Sequence, residues 1–168
     1  MRRYLTEQEV KTALKTLTVI VDTNEKVNQH ILEYLASKKI PYIKRALNVG
    51  DYSFELDGMT YEDIISIERK ANIEEIAGNF TVGRTRFKNE FTRALASGTK
   101  MFLMIENCSW QDIKSHNYTS KLNPESLLGS LMSWQAKYNI TVNFVKQEQA
   151  GELIAKTLFY WARSILKP

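Results

Sequence analysis

The chain has 168 residues, 43% hydrophobic and 11% aromatic, with 23 basic against 19 acidic side chains and a net charge of +4. That size and apolar content suit one globular domain with a substantial core and exclude a disordered or low-complexity chain. No stretch approaches a membrane span, Met1-Arg2-Arg3 is not followed by a signal-peptide core, and the lone Cys108 cannot close an intrachain disulfide, so a cytoplasmic, intracellular protein is expected.

In chain order, Thr6 with Glu9 forms a capping-box pattern that predicts a short helix to about Lys15. Leu17 to Val21 is an apolar run ending in Asp22, which suits a buried strand with a carboxylate at its exit. A helix from Glu25 to Ser37 follows, then Pro41 and a strand through Leu47. His30 and His116 lie far apart with no cysteine cluster, so neither a structural zinc site nor a catalytic histidine is expected.

The segment from Gly50 to Lys70 reads as two strands, whose side chains alternate between faces. Tyr52, Phe54 and Leu56 take one side and Asp51, Ser53 and Glu55 the other; in the second strand Ile65 and Ile67 oppose Ser66, Glu68 and Lys70. A two-residue turn at Asp57-Gly58 puts Asp51 opposite Ile64 and leaves Glu68 about 13 Å farther along, too far to share an ion. Placing Asp51 opposite Glu68 needs a loop centred between Met59 and Thr60, a connection of roughly four residues. We expect that longer loop, with two carboxylates and an ammonium gathered at the end away from it, the inventory for holding a divalent metal beside a phosphate.

A short helix is expected near Ile73 to Asn79 and a longer one from about Gly83 to Ser97, stopped by Gly98. On the longer helix Phe87, Phe91, Ala94 and Leu95 form a core stripe, and Arg86, Glu90 and Arg93 a separate polar stripe. Between Gly83 and Lys100, Arg84, Arg86, Lys88, Arg93 and Lys100 face Glu90 alone, a basic segment compatible with nucleic acid. Met101 to Ile105 is another buried strand, ending in Glu106; Cys108 beyond it reads as a small buried thiol. After an irregular stretch, Pro124 opens a helix to Tyr138, Ile140 to Val145 forms a strand, and Glu148 to Leu166 a last helix.

This alternation predicts an α/β fold with a mixed sheet flanked by helices, one antiparallel hairpin included. On the last helix Leu153, Ile154, Leu158, Trp161 and Ile165 make a core stripe, leaving Phe159, Tyr160 and Leu166 for a homodimer or protein partner.

Val21-Asp22-Thr23-Asn24-Glu25, Val49-Gly50-Asp51-Tyr52, Ile67-Glu68-Arg69-Lys70, and Gly83-Arg84 with Phe87 to Glu90 resemble the nuclease domain of the XPF-type structure-specific endonucleases, in the compact form found in phage and bacterial genomes. Gly-Asp followed by Glu-Arg-Lys is the specific part, and the resemblance covers about Leu17 to Glu106. It implies a restriction-endonuclease-like core in a single domain over residues 1–168, without the tandem helix-hairpin-helix module of longer relatives. It also implies Mg²⁺- or Mn²⁺-dependent endonucleolytic cleavage of DNA at branched, flap or fork structures. The alternative is a non-catalytic DNA-binding or scaffold module on the same fold.

By the same resemblance, Asp51 and Glu68 bind the metal, with Asp22 as a direct or water-bridged ligand. Lys70 orients the attacking water or offsets transition-state charge, Arg69 ties the site to neighbouring carboxylates, and Glu25 belongs to the constellation. Arg84, Arg86, Lys88 and Arg93 hold the DNA backbone. Two positions depart from the pattern: Asn24 stands where relatives usually carry arginine, and the acidic residue after Glu-Arg-Lys is either Glu74 or Glu75. Taken singly, each residue has a plainer reading. Asp22 could cap a helix, Glu68 and Lys70 could be a surface pair, Glu25 and Glu90 helix-surface charges, and Tyr52 a core ring.

Overall fold

The computed structural model describes residues 5–167. In chain order these form α1 (Glu7–Leu14), β1 (Thr18–Val21), α2 (Gln29–Ser37), β2 (Tyr42–Lys44), β3 (Tyr52–Leu56), β4 (Met59–Thr60) and β5 (Ile65–Lys70). There follow α3 (Ile73–Asn79), α4 (Arg84–Ser97), β6 (Lys100–Glu106), α5 (Trp110–Lys114), α6 (Pro124–Tyr138), β7 (Ile140–Val145) and α7 (Gln147–Leu166). The strands make one mixed sheet in the order β2-β1-β3-β5-β6-β7, with β4 paired to β3 alone. β1 and β3, like β3 and β5, run antiparallel, whereas β5, β6 and β7 are parallel and joined through helices. This is the mixed sheet flanked by helices that the sequence predicts.

Both faces of the sheet are covered, which is why its central strands are apolar in both parities. In β6, Met101, Leu103 and Ile105 pack with Ile76, Phe87, Phe91, Leu131 and Trp134 on the α3, α4 and α6 side. Met104 and Phe102 pack on the opposite side with Leu35 of α2 and Ile154 and Leu158 of α7. Thr6 and Glu9 form the reciprocal capping box expected for α1.

The hairpin keeps the predicted register by a different route. Tyr52 stands opposite Ile67, which places Asp51 opposite Glu68. Yet the expected loop between Met59 and Thr60 is absent: Asp57 and Gly58, with φ of 50° and 76°, form a tight turn that pairs Leu56 with Met59. The difference between the two registers is absorbed at Tyr61–Ile64, where the N–H groups of Ile64 and Ile65 both donate to the Tyr61 carbonyl. Local turn chemistry sets the tip, and the buried faces of Ile65 and Ile67 set the register below it.

Several boundaries or faces differ from expectation, among them β2, which ends at Lys44 rather than Leu47, and α5, a short helix in the stretch expected to be irregular. Helix α2 starts at Gln29 rather than Glu25, because Asp22 holds the following segment in a turn by accepting from the Asn24 N–H at 2.8 Å. Leu95 of α4 is 47% exposed, so the core stripe of that helix is Phe87, Phe91 and Ala94. Leu153 of α7 is likewise exposed, since the buried face runs through Ala150, Gly151, Ile154, Leu158 and Ala162. Small residues there let α7 approach α2, and a Cβ on Gly151 would meet the Tyr34 Cβ at 2.6 Å. Among the described residues, no helix is long and apolar enough to cross a membrane.

Candidate functional site

The end of the hairpin away from the turn is knitted by main-chain bonds. Asp51 N–H donates to the Ile67 carbonyl and the Asp51 carbonyl accepts from Asp22 N–H, both at 2.8 Å. The Asp51 carboxylate then takes the Arg69 N–H at 2.7 Å through Oδ2. Gly50, at φ 74°, allows the chain to lie flat against β5, where a Cβ would fall 2.2 Å from Ser66 Oγ. Ser66 Oγ donates to the Val49 carbonyl at 2.7 Å, which fastens this approach.

Alternation along β5 divides Glu-Arg-Lys between the two faces of the sheet. Glu68 and Lys70 share one face, where Lys70 Nζ donates to Glu68 Oε1 at 2.5 Å and lies 5.2 Å from the centre of the Phe87 ring. Arg69 takes the other face. Its Nε donates to Glu25 Oε1 at 2.7 Å, its Nη2 to the Val27 carbonyl at 2.8 Å, and its Nη1 lies 3.2 Å from Glu106 Oε1. His30 Nε2 is 2.8 Å from that same Glu106 oxygen, and Tyr52 donates to Glu25 Oε1 at 3.3 Å. Arg69 thus ties the site to neighbouring carboxylates, one of them Glu106, which closes β6.

Over the Glu68 and Lys70 face lies a cavity of about 830 Å³. Its walls include Asp22, Glu25, Asp51, Glu68, Arg69 and Lys70 from the motifs and Arg86 and Arg93 from α4. Arg84 and Lys88 are not among them. Arg84 turns to the far side of α4, where its guanidinium lies 5.8 Å from the Phe80 ring and 5.9 Å from Trp134. Lys88, one turn beyond Arg84, shares that side of the helix. The two acidic candidates after Glu-Arg-Lys also lie apart. Glu75 lines the cavity and lies 3.7 Å from Lys70 Nζ, whereas Glu74 accepts from Thr119 and Ser120 N–H groups in a separate loop.

Asn48 and Thr85, which the motifs do not include, also line the cavity, as do Asn89 and Glu90 of the last motif. Glu90 accepts the Gly50 N–H at 2.9 Å and so belongs to the site rather than to the helix surface. Its helical spacing with Arg86 and Arg93 carried that signal; Asn48, in a loop, carried none.

Burial and crowding of negative charge dominate the electrostatics. Burial, reinforced by the charges of Glu25 and Glu90, pushes the Asp51 carboxyl up to about 7. Burial, followed by the charge of Asp51, holds Glu68 well above the usual carboxylate range. Burial alone would lower the Lys70 ammonium, but Glu68 outweighs it and keeps the group above an ordinary lysine.

These facing carboxylates fit a hard divalent cation, which takes oxygen ligands and relieves such crowding. Among the described residues no three carboxylate, imidazole or thiol groups converge as a ready metal centre. Asp22 lines the cavity, and both of its oxygens accept main-chain N–H groups. Its Oδ1 accepts from Asn24 N–H and its Oδ2 from Leu47 N–H at 2.7 Å, so it braces the two loops that flank the cavity. Glu25 is similarly committed to Arg69.

Comparison with known proteins agrees with this architecture. XPF from Aeropyrum pernix superposes with a TM-score of 0.67 at 20% identity, over 88% of this chain and 66% of that one. XPF from Aeropyrum pernix in complex with DNA gives 0.64 at 21% identity, over the same shares. The chain therefore spans just under two thirds of the length of those structures, and the likeness is one of fold. No curated protein matches it in sequence. A family model described as the ERCC4 domain matches residues 21–157, most of the chain and all of the motifs above, and the protein belongs to the ERCC4 domain family.

Proposed function

We propose that this protein is a divalent-cation-dependent DNA endonuclease that cuts at branched, flap or fork structures. The observation that carries the reading is the pairing of Asp51 with Glu68 across β3 and β5, with Lys70 on the same face, beneath a cavity walled by Arg86 and Arg93. A related fold, XPF from Aeropyrum pernix, is known in complex with DNA. Hard oxygen donors and cationic walls suit one chemistry, hydrolysis of a phosphate ester.

Asp51 and Glu68 would hold Mg²⁺ or Mn²⁺. When bound, such an ion supplies Lewis-acid polarisation of a phosphate oxygen and lowers the pKa of water. Lys70, held protonated by Glu68, donates to a phosphate oxygen and offsets the charge that grows there, rather than taking a proton from water. Arg86 and Arg93 hold the backbone within the cleft. Asp22, Glu25 and Arg69 act by fixing the loops and strand that aim Asp51.

A non-catalytic DNA-binding module is the second reading, favoured by one observation: the Lys70 ammonium already pairs with Glu68 where a cation would sit. For partners, we assign the exposed Phe159 and Tyr160 of α7 to contact with a second copy or another protein. A sedimentation profile unchanged by Tyr160→Glu at all concentrations would exclude the second copy and leave another protein.

The test of function is a panel of labelled duplex, single-stranded, flap, fork and four-way DNAs with Mg²⁺, Mn²⁺ or EDTA, alongside Glu68→Ala. Cation-dependent cuts that vanish in the variant support the enzyme and rank its substrates. Binding without cleavage in every condition supports the module instead.

A further inference from the structure

Helix α4 presents Arg86, Glu90 and Arg93 on one face, all three lining the cavity. A carboxylate between two arginines is an odd lining for a surface that takes phosphates. A backbone drawn in by the arginines meets a negative charge one turn from each of them. Glu90 spends an oxygen on the Gly50 N–H, at the root of Asp51, rather than on either arginine. Its charge reaches both motif carboxylates, raising Asp51 and Glu68 alike after their burial and nearer charges. The helix that would grip DNA and the strands that would hold the cation therefore share one cluster of acidic groups.

We infer that Glu90 makes nucleic-acid binding in this cleft conditional on a divalent cation. Without the ion, the charge of Glu90, together with the ionised share of Asp51 and Glu68, opposes the phosphate that Arg86 and Arg93 attract. With it, the cluster is neutralised and the same helix face accepts the backbone. Glu90 is a positioning and gating residue here: it holds Gly50 and sets the charge that ion and phosphate must both meet. The inference rests on the proposed function for its ligand, DNA, but not on cleavage.

Glu90→Gln separates the two roles, because the amide oxygen still accepts from Gly50 while the charge is gone. The experiment is fluorescence anisotropy of the full chain with a labelled flap DNA, in EDTA and in Ca²⁺, each with wild type and Glu90→Gln, folding checked by thermal melt. Wild type should bind about tenfold or more tighter in Ca²⁺. Glu90→Gln should bind more tightly than wild type in EDTA and gain less from Ca²⁺. Equal behaviour of the two proteins, or weaker binding by Glu90→Gln in EDTA, overturns the gate. Should the variant not fold, linkage still gives a test: saturating DNA must raise the wild-type affinity for Ca²⁺ by the same factor. Calorimetry showing no change overturns the inference. Failure of cleavage with cation-dependent binding intact sinks the enzyme and leaves the gate standing, whereas no DNA binding in either condition sinks both.

Discussion

Arg69 and Asp51 are joined through the main chain, the Arg69 N–H donating to Asp51 Oδ2 at 2.7 Å. Because β5 alternates, the same residue sends its guanidinium through to the other face, onto Glu25 and Glu106. One residue thus aims the carboxylate that faces the cavity and fastens the loop after β1, β5 and the end of β6 behind it.

Removing Arg69 should therefore cost stability as well as geometry. Its side chain is 4% exposed and Glu106 is 1% exposed, so Arg69→Met leaves two carboxylates with no buried cation between them. Losing one partner of a buried pair costs about 3–5 kcal/mol. Chemical denaturation should show a loss of that order; a loss no larger than that of an exposed arginine such as Arg86 would contradict the burial argument.

Stability without a cation should fall with rising pH. The Asp51 carboxyl titrates at about 7 rather than 3.8, so its protonated form contributes stability that is complete below pH 3.8 and is lost as pH passes through about 7. Asp51→Asn should match wild type at the acid end and exceed it above pH 7 in EDTA. Each kcal/mol recovered raises Tm by about 2–4 °C. Thermal melts in which wild type gains stability on the Asn variant through this window would be inconsistent with a buried, charge-crowded Asp51. Activity of Asp51→Asn, and of Lys70→Ala, should be abolished.

The two sides of α4 should behave differently toward DNA. Arg86 and Arg93 line the cavity, while Arg84 lies against Phe80 and Trp134. Each phosphate contact contributes roughly 0.9 to the slope of log affinity against log salt. Arg86→Ala with Arg93→Ala should lower the slope by about 1.8, and Arg84→Ala with Lys88→Ala should leave it alone. Equal slopes for the two pairs would move the DNA surface off this face.

Gly50→Ala should be disproportionately disruptive for so small a change. The added methyl would lie 2.2 Å from Ser66 Oγ and 3.1 Å from the Ile67 carbonyl, at φ 74°. Overpacking costs about 1–3 kcal/mol, and the left-handed backbone about 1–2 kcal/mol more. Gly58→Ala, with a similar φ of 76° and open space around it, should pay the backbone cost alone. Equal denaturation midpoints for the two variants would show that the contact with β5 is slack.

Much of the architecture was legible because it is written in short-range periodicity. Capping at Thr6, the stop at Gly98 and the Pro124 start are local backbone chemistry, and they recur in the structure. The opposition of Asp51 and Glu68 was legible too, since parity and register are coupled once one face of a hairpin is buried. The connection was misread because two registers coexist, a tight turn at Asp57-Gly58 and a compensating turn at Tyr61–Ile64. Nothing in the strand pattern announces that second turn.

By itself, the sequence determined the order of the main elements, though not β4 or α5, the strand pairing that gathers Asp51, Glu68 and Lys70, and the family motifs, because each depends on spacing along one or two neighbouring segments. Only the tertiary structure decided which charges share the cavity. It placed Arg86, Arg93 and Glu75 inside, turned Arg84 and Glu74 away, committed Asp22 to two loop amides, and brought Glu90 onto Gly50. A helical or loop side chain acquires its role from what its element packs against, and that packing joins residues distant in the chain, as Arg69 joins Glu25 to Glu106.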